Sequence, residues 1–230
     1  MNKVYSNEDM YRQSEKWEPR FCEEKNLLWI DNFYENPDRI YEMLMARPFP
    51  LWKYNPESNT RNGIDYNDCR VIDLNPHPSR QYYRDHERLL DICRRYWWKG
   101  NYRWNTHYEF NCFGAIKEFD NSMQHYPHID SELSCPDELA TLNMLVYLDK
   151  EGDGGTAVYD GEWITNDENY NLIYPVNERF TTQHLIKSVY NRAVVFPGNR
   201  MHGAFIDDYS KFTDKWRFTQ VTFYHPQEQR

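Results

Sequence analysis

From Asn101 onward the sequence is written in short aromatic and β-branched runs, each cut off by Gly, Pro or Asn. The runs are "NYRWNTHYEF", "FGAIKEF", "TLNMLVYL", "TAVYD", "HLIKSVY", "RAVVF" and "WRFTQVTFY". Val, Ile, Thr, Tyr, Phe and Trp are the side chains that pack best on a pleated surface, and the spacing of the breakers leaves no room for long helices. A sandwich or barrel of short strands is therefore expected over 101–230. With 230 residues, 40% hydrophobic and 17% aromatic, the chain has enough apolar material for one core, so a single domain is expected over 1–230.

The first half reads differently. Residues 1–25 are charged and aperiodic, which predicts an extended or weakly helical arm. "LLWI" from Leu27 reads as a strand. In "NPDRIYEMLMA", Asn36 is a candidate N-cap, Pro37 suits the first helical position, and Ile40, Met43 and Leu44 share one face. "RNG" at Arg61 to Gly63 marks a turn and "CRVIDL" a strand. "SRQYYRDHERLLDICRRYWW" comes next as a second helix, with Tyr82, His86, Leu89, Leu90 and Cys93 at helical spacing. Residues 26–100 thus read as helical support for the strand-rich part. The polar, Tyr-rich stretch 161–182 is long enough to be a lid or substrate loop.

A formal charge of -9 disfavours a nucleic-acid partner, whose phosphates call for a basic face. The N-terminal stretch has no apolar signal region and no run is long enough to span a bilayer, so a cytoplasmic protein without membrane contact is expected. Five cysteines, widely spaced and never in a C-x-x-C pair, predict reduced thiols.

Among the polar stretches, "HYPHID" carries His128 and Asp130 at i and i+2, which on an extended strand project from one face. With 8 histidines and 36 acidic residues in 230, chance alone supplies about one such pair, and His107 and Glu109 in "HYE" form another. The residues downstream of each pair separate them. After His128 come a strand, the glycine-rich turn "GDGGT", a further strand, and "RAVVFPGNRMH", which breaks at Pro197 and Gly198 and presents His202. A last strand carries Arg217. His107 and Glu109 read instead as cross-strand polar contacts. On a regular strand His125 faces away from His128 and reads as a bystander. Gly154 and Gly155 read as a hairpin turn.

"HID", "VYLD" with "GGT", "VVFPGNRMH" and "RFT" together resemble the core of the 2-oxoglutarate and Fe(II)-dependent oxygenases, of the prolyl-hydroxylase and phytanoyl-hydroxylase type. The resemblance covers about 124–224, and the opening "LLWIDNFYENPDRIYEMLMARPFP" resembles a bacterial and phage branch of such proteins. It implies a double-stranded β-helix (a cupin-like jelly roll), mainly β with flanking helices. It further implies Fe(II) as cofactor and 2-oxoglutarate as co-substrate, which is oxidatively decarboxylated to succinate and CO2 while a peptide side chain or a small metabolite is hydroxylated. A phage gene would place the protein in the host cytoplasm.

Two imidazoles and a carboxylate on one octahedral face leave positions open for a bidentate 2-oxo acid and O2, unlike a closed zinc site. His128, Asp130 and His202 would be that metal-binding triad. Arg217 and Thr219, sharing a face, suit the distal carboxylate, because a guanidinium fork matches it and a hydroxyl completes it. Lys215 lies on the same face and is the alternative anchor, since prolyl-hydroxylase relatives use a lysine. By the resemblance, Asn143 and Tyr147 line the co-substrate pocket. Asp149 stands where relatives commonly have Asn, "GGT" is one residue short before Thr156, and the carboxylate of Asp130 argues against halogenating variants. Two other readings stand beside this one: a cupin-type metalloenzyme with no use for Arg217, and an idle jelly-roll module binding through Trp163, Tyr170 and Tyr174.

Overall fold

Alternating apolar residues in the second half settle into long antiparallel ladders, while the first half supplies two helices and several short strands. The structure is a computed structural model that describes residues 12–46, 53–54, 60–61, 64–65, 68–73, 80–112, 128–132, 134–150, 152–161, 180–205, 208, 211 and 217–227. In chain order the elements are β1 (Arg20–Cys22), β2 (Leu27–Ile30), α1 (Pro37–Met45), β3 (Lys53–Tyr54), β4 (Thr60–Arg61), β5 (Ile64–Asp65), β6 (Asp68–Asp73) and α2 (Arg80–Cys93). Then come β7 (Asn101–Cys112), β8 (Leu142–Tyr147), β9 (Gly155–Gly161), β10 (Phe180–Lys187), β11 (Arg192–Pro197), β12 (His202–Phe205) and β13 (Arg217–Gln227).

One large sheet has the order β1-β2-β11-β8-β13-β7-β6-β3, and a smaller one has the order β10-β9-β12. Among the described residues every pairing in these two sheets is antiparallel. In an antiparallel ladder directly opposed residues share a face. The register Val195↔Met144 and Thr222↔Met144 therefore sets one face of the large sheet, and Val194↔Leu145 and Val221↔Leu145 set the other.

The first face is covered by the helices. Leu142, Met144, Val146, Val195, Phe218 and Tyr224 pack there against Ile40 of α1 and Leu89, Leu90 and Cys93 of α2. His86, Leu89, Leu90 and Cys93, all fully buried, hold the 3 to 4 residue spacing of an amphipathic helix. The second face looks toward the small sheet: Tyr147, Val194, Phe196 and Leu27 meet Val158 of β9 and Ile186 of β10. Two antiparallel sheets face to face, backed by helices, make a mainly β jelly roll of the double-stranded β-helix kind.

Several local expectations change. The N-terminal arm is packed in place: Gln13 and Trp17 are buried, β1 pairs with β2, and Trp17 meets Phe33 edge-on. The span 26–100 is not only helical support, because β2, β3 and β6 are strands of the large sheet. The second helix ends at Cys93, short of Trp98, where Trp97 N–H and Tyr96 N–H both turn back to the Cys93 carbonyl. Gly154 and Gly155 do not close a hairpin: β8 and β9 lie in different sheets, so the turn carries the chain across the sandwich. Cys22, Cys93 and Cys135 are free thiols. The segment "FGAIKEF", the aromatic residues Trp163, Tyr170 and Tyr174, His125 and Lys215 lie outside the described residues. So does nearly all of 161–182. Among the described residues no helix is long and apolar enough to cross a membrane.

Candidate active site

His128 and Asp130 do not sit on a regular strand. His128 forms a single antiparallel bridge to His202, the first residue of β12, with His128 N–H to His202 carbonyl 2.8 Å and His202 N–H to His128 carbonyl 2.9 Å. Two residues on, the amides of Asp130 and Ser131 both donate to the Gly198 carbonyl, at 2.7 and 3.1 Å. The break at Pro197 and Gly198 thus docks the "HID" segment as well as ending β11. Gly198 is tightly enclosed: an added Cβ would stand 3.1 Å from the Asp130 Cβ and 3.0 Å from the Thr141 carbonyl, so its neighbours would have to give by a few tenths of an ångström.

This docking brings ligand atoms of His128, Asp130 and His202 within 4.8 Å of one another. Asp130 Oδ2 lies 3.1 Å from His202 Nε2, and the two histidine rings stand 4.4 Å apart between centroids. His202 Nδ1 is 2.7 Å from the Arg200 carbonyl, which accepts but cannot donate, so Nδ1 carries its proton and Nε2 is the atom turned to Asp130. Burial works against the charge on Asp130, but the His202 hydrogen bond, the charges of His202 and His128 and the Asn143 amide outweigh it and bring its carboxyl down to about 2.

Asn143 of β8 reaches this cluster from the sheet. Its Nδ2 donates to Asp130 Oδ2 at 2.5 Å and lies 3.2 Å from His202 Nε2. Its Oδ1 is buried and meets no hydrogen-bond partner among the described residues. Along β13, on the face shared with Asn143, exposure falls in one direction: His225 and Phe223 are half-buried, and Val221, Thr219 and Arg217 are buried. The face therefore opens at the His225 end and closes at the Arg217 end, with the triad at the level of Phe223, opposite Asn143.

At the closed end Tyr147 pairs in register with Thr219. The Tyr147 hydroxyl donates to Thr156 Oγ1 of β9 at 2.8 Å, and β9 sets Thr156 opposite Ile186 and Ala204. Burial pushes the Tyr147 phenol up to about 12, against the pull of Thr156, Arg217 and Arg192, which keeps it a neutral donor. The Arg217 guanidinium, 5% exposed, donates to the Gly155 carbonyl at 3.1 Å. Thr219 Oγ1 is buried with no hydrogen-bond partner among the described residues. Arg217 and Thr219, two positions apart on one strand, thus place a buried guanidinium and a hydroxyl with no partner among the described residues on the same face of the large sheet.

Of the residues expected at the site, His128, Asp130 and His202 cluster against Asn143, and Asn143, Tyr147, Arg217 and Thr219 share one face of the large sheet. On β7 the backbone sets His107 opposite Val221 and Glu109 opposite Thr219. Their side chains lie outside the described part of the chain. Gly198, Thr156 and the Arg200 carbonyl, which shape the site without being expected as donors to it, become visible only with the fold.

No protein-family model and no curated protein matches the sequence. Solved structures do match the fold. HygX from Streptomyces hygroscopicus, solved with nickel, 2-oxoglutarate and hygromycin B bound, superposes with a TM-score of 0.56 at 15% identity, over 90% of this chain and 88% of that one. The non-haem α-ketoglutarate-dependent epimerase SnoN from nogalamycin biosynthesis superposes with a TM-score of 0.53 at 12% identity, over 87% of this chain and 78% of that one. At such identities the likeness is one of fold: the chain is built on the same jelly-roll scaffold as these two 2-oxoglutarate-related proteins.

Proposed function

We propose that the protein is an Fe(II)- and 2-oxoglutarate-dependent oxygenase in which His128, Asp130 and His202 hold the metal. The observation that carries the reading is the convergence of these three side chains beside Asn143, on the sheet face that also carries buried Arg217 and Thr219. The donor set fits the cofactor: two nitrogens and one carboxylate, with open coordination left for ligands. When bound, the iron would supply activation of O2. Arg217 and Thr219 would pair with the distal carboxylate of 2-oxoglutarate, with Tyr147 donating from the side and Asn143 at the metal end. Lys215 is the other candidate for that anchor.

The chain's own part is to orient and to exclude water. The Arg200 carbonyl holds the Nδ1 proton of His202, leaving Nε2 for the metal. Phe196 closes on the His202 ring edge-on at 5.0 Å. The overall balance is R–H + O2 + 2-oxoglutarate giving R–OH + succinate + CO2, so the protein neither gains nor loses electrons over a turnover.

A small molecule is the favoured substrate class, with a peptide side chain as the alternative. HygX with hygromycin B, and SnoN, solved with nogalamycin RO, support the small molecule. The reading takes 1–230 as a single domain, which the sharing of the large sheet by β2 and β13 supports. The place of action in this reading is the cytoplasm, that of the host if the gene is a phage's. A cupin-type metalloenzyme or an idle module gives no role to the Arg217 and Thr219 pair.

Metal-dependent formation of succinate from 2-oxoglutarate tests the reading, with candidate small molecules supplied as substrate. Turnover that stops in His128→Ala and Asp130→Ala is expected. Persistence of turnover in both variants overturns the assignment.

A further inference from the structure

Among the described residues Asp137 has no hydrogen bond or ion pair with the triad, yet its carboxylate gathers donors from two remote segments. Oδ1 accepts from Asn199 Nδ2 at 2.8 Å, and Oδ2 accepts from the Arg200 guanidinium at 2.8 Å and from Asn26 Nδ2 at 2.5 Å. Asn199 Nδ2 also reaches the Cys135 carbonyl at 2.7 Å. Asn26, held in the left-handed region at φ 49°, accepts from Trp97 Nε1 at 2.8 Å, which ties the cluster to the helical layer. The residues so gripped, Asn199 and Arg200, lie between Gly198, whose carbonyl docks Asp130, and His202.

We propose that Asp137 is a positioning residue for the metal centre: by fixing Asn199 and Arg200 it sets the Arg200 carbonyl that orients His202 and the Gly198 carbonyl that seats Asp130. The inference rests on the reading of His128, Asp130 and His202 as a metal site. Arg200 is the lever. Its side chain is tied to Asp137 at 2.8 Å, and its carbonyl is 2.7 Å from His202 Nδ1, so the peptide between them has little freedom to rotate. With that carbonyl turned away, the imidazole loses the acceptor that selects its tautomer and holds its ring plane. The Arg200 to Asp137 ion pair is itself about one-third exposed and adds little stability as an isolated pair. Its consequence lies in where it holds the backbone.

The test is a titration of the full chain, stripped of metal, with Co(II), read by visible absorption, for wild type, Asp137→Asn, Arg200→Gln and Asp31→Ala. The last breaks a comparable ion pair, Asp31 with Arg192, elsewhere on the molecule. Loss of an outer partner of a metal ligand commonly weakens binding by about 10–100-fold; Asp137→Asn and Arg200→Gln keep the Arg200 carbonyl and loosen only its position, so a loss at the low end, about tenfold, is expected. Asp31→Ala should bind within about twofold of wild type, and Arg200→Lys, which keeps the pairing charge, should recover part of the loss. Nitrogen NMR of His202 should show the Nδ1-protonated tautomer in wild type and a mixture in Asp137→Asn. Equal affinity in wild type and both network variants overturns the inference and leaves the metal site standing, as does an equal loss in Asp31→Ala. Absence of Co(II) binding by wild type overturns the metal site and the inference with it. If Asp137→Asn does not fold, Asn199→Ala, which removes one donor only, is judged by the same criterion.

Discussion

His128 and His202 are bound to each other through both of their backbone amides, at 2.8 and 2.9 Å, in a bridge one residue long. Seventy-four positions apart in sequence, 202 minus 128, they are brought into register by the same contact that sets their rings 4.4 Å apart. The site is thus tied to β12, and β12 to β9, so the small sheet carries one side of the triad while Asn143 on the large sheet touches the other.

Arg217 is expected to anchor the co-substrate. A hydrogen bond to a charged group contributes roughly 1.5–3 kcal/mol, so Arg217→Ala should weaken 2-oxoglutarate binding about 10–100-fold and Thr219→Val by less. Anaerobic calorimetry with Fe(II) present measures both. A larger loss in Lys215→Ala than in Arg217→Ala would transfer the anchor to the lysine.

Two glycines should fail in different ways. A Cβ on Gly155 would fall 1.9 Å from the Ile186 carbonyl, at a backbone φ of 152°. Gly155→Ala must therefore shift the strand it pairs with, and denaturant unfolding should show a loss of about 2 kcal/mol or more. A Cβ on Gly198 meets Asp130 and Asn143 Oδ1 at 3.1 Å, so Gly198→Ala should lower metal affinity out of proportion to its effect on Tm.

Phe218 is fully buried on the helix-covered face, opposite to the pocket. Phe218→Ala should cost about 3–5 kcal/mol in chemical denaturation. At temperatures where the variant is folded, its Co(II) affinity should match wild type.

The acid limb of stability should report Asp137. Burial raises its carboxyl, but the Arg200 and Asn199 hydrogen bonds, the Arg200 charge and Asn26 outweigh this and hold it below the usual range. A folded-state value below the unfolded one gives stability that is present above the unfolded value, about 3.9, and is lost as pH falls through the folded value. Unfolding free energy measured from neutral pH into acid should fall less steeply in Asp137→Asn than in wild type.

Local pattern made parts of this molecule readable. Pro37 and the Ile40 spacing mark α1, the His86 to Cys93 spacing marks α2, and alternation in "RFTQVTFY" marks which residues of β13 share a face. The order of His128, Asp130, His202 and Arg217 along the chain points to one site through the family resemblance, not through alternation, since His128 and Asp130 lie off any regular strand. Sheet membership is another matter. Nothing near Gly154 and Gly155 says that the strands on either side belong to opposite sheets, since a glycine turn is compatible with either course. Trp17 and Gln13 look like solvated residues because their partners, Phe33, Arg88 and Asp85, are supplied by distant elements. Asp137 belongs to the same class: it lies in a polar loop, and its contacts with Asn199 and Asn26 span 62 and 111 positions.

The decisive measurement is a crystal structure of the protein with Fe(II) and 2-oxoglutarate under anaerobic conditions, with anomalous scattering recorded at the iron edge. One iron peak is expected, bound by His128 Nε2 or Nδ1, Asp130 and His202 Nε2, with 2-oxoglutarate running from it to Arg217 and Thr219. An iron peak at His107 and Glu109 instead, or a 2-oxo acid whose distal carboxylate lies away from Arg217 and Thr219, would contradict the assignment.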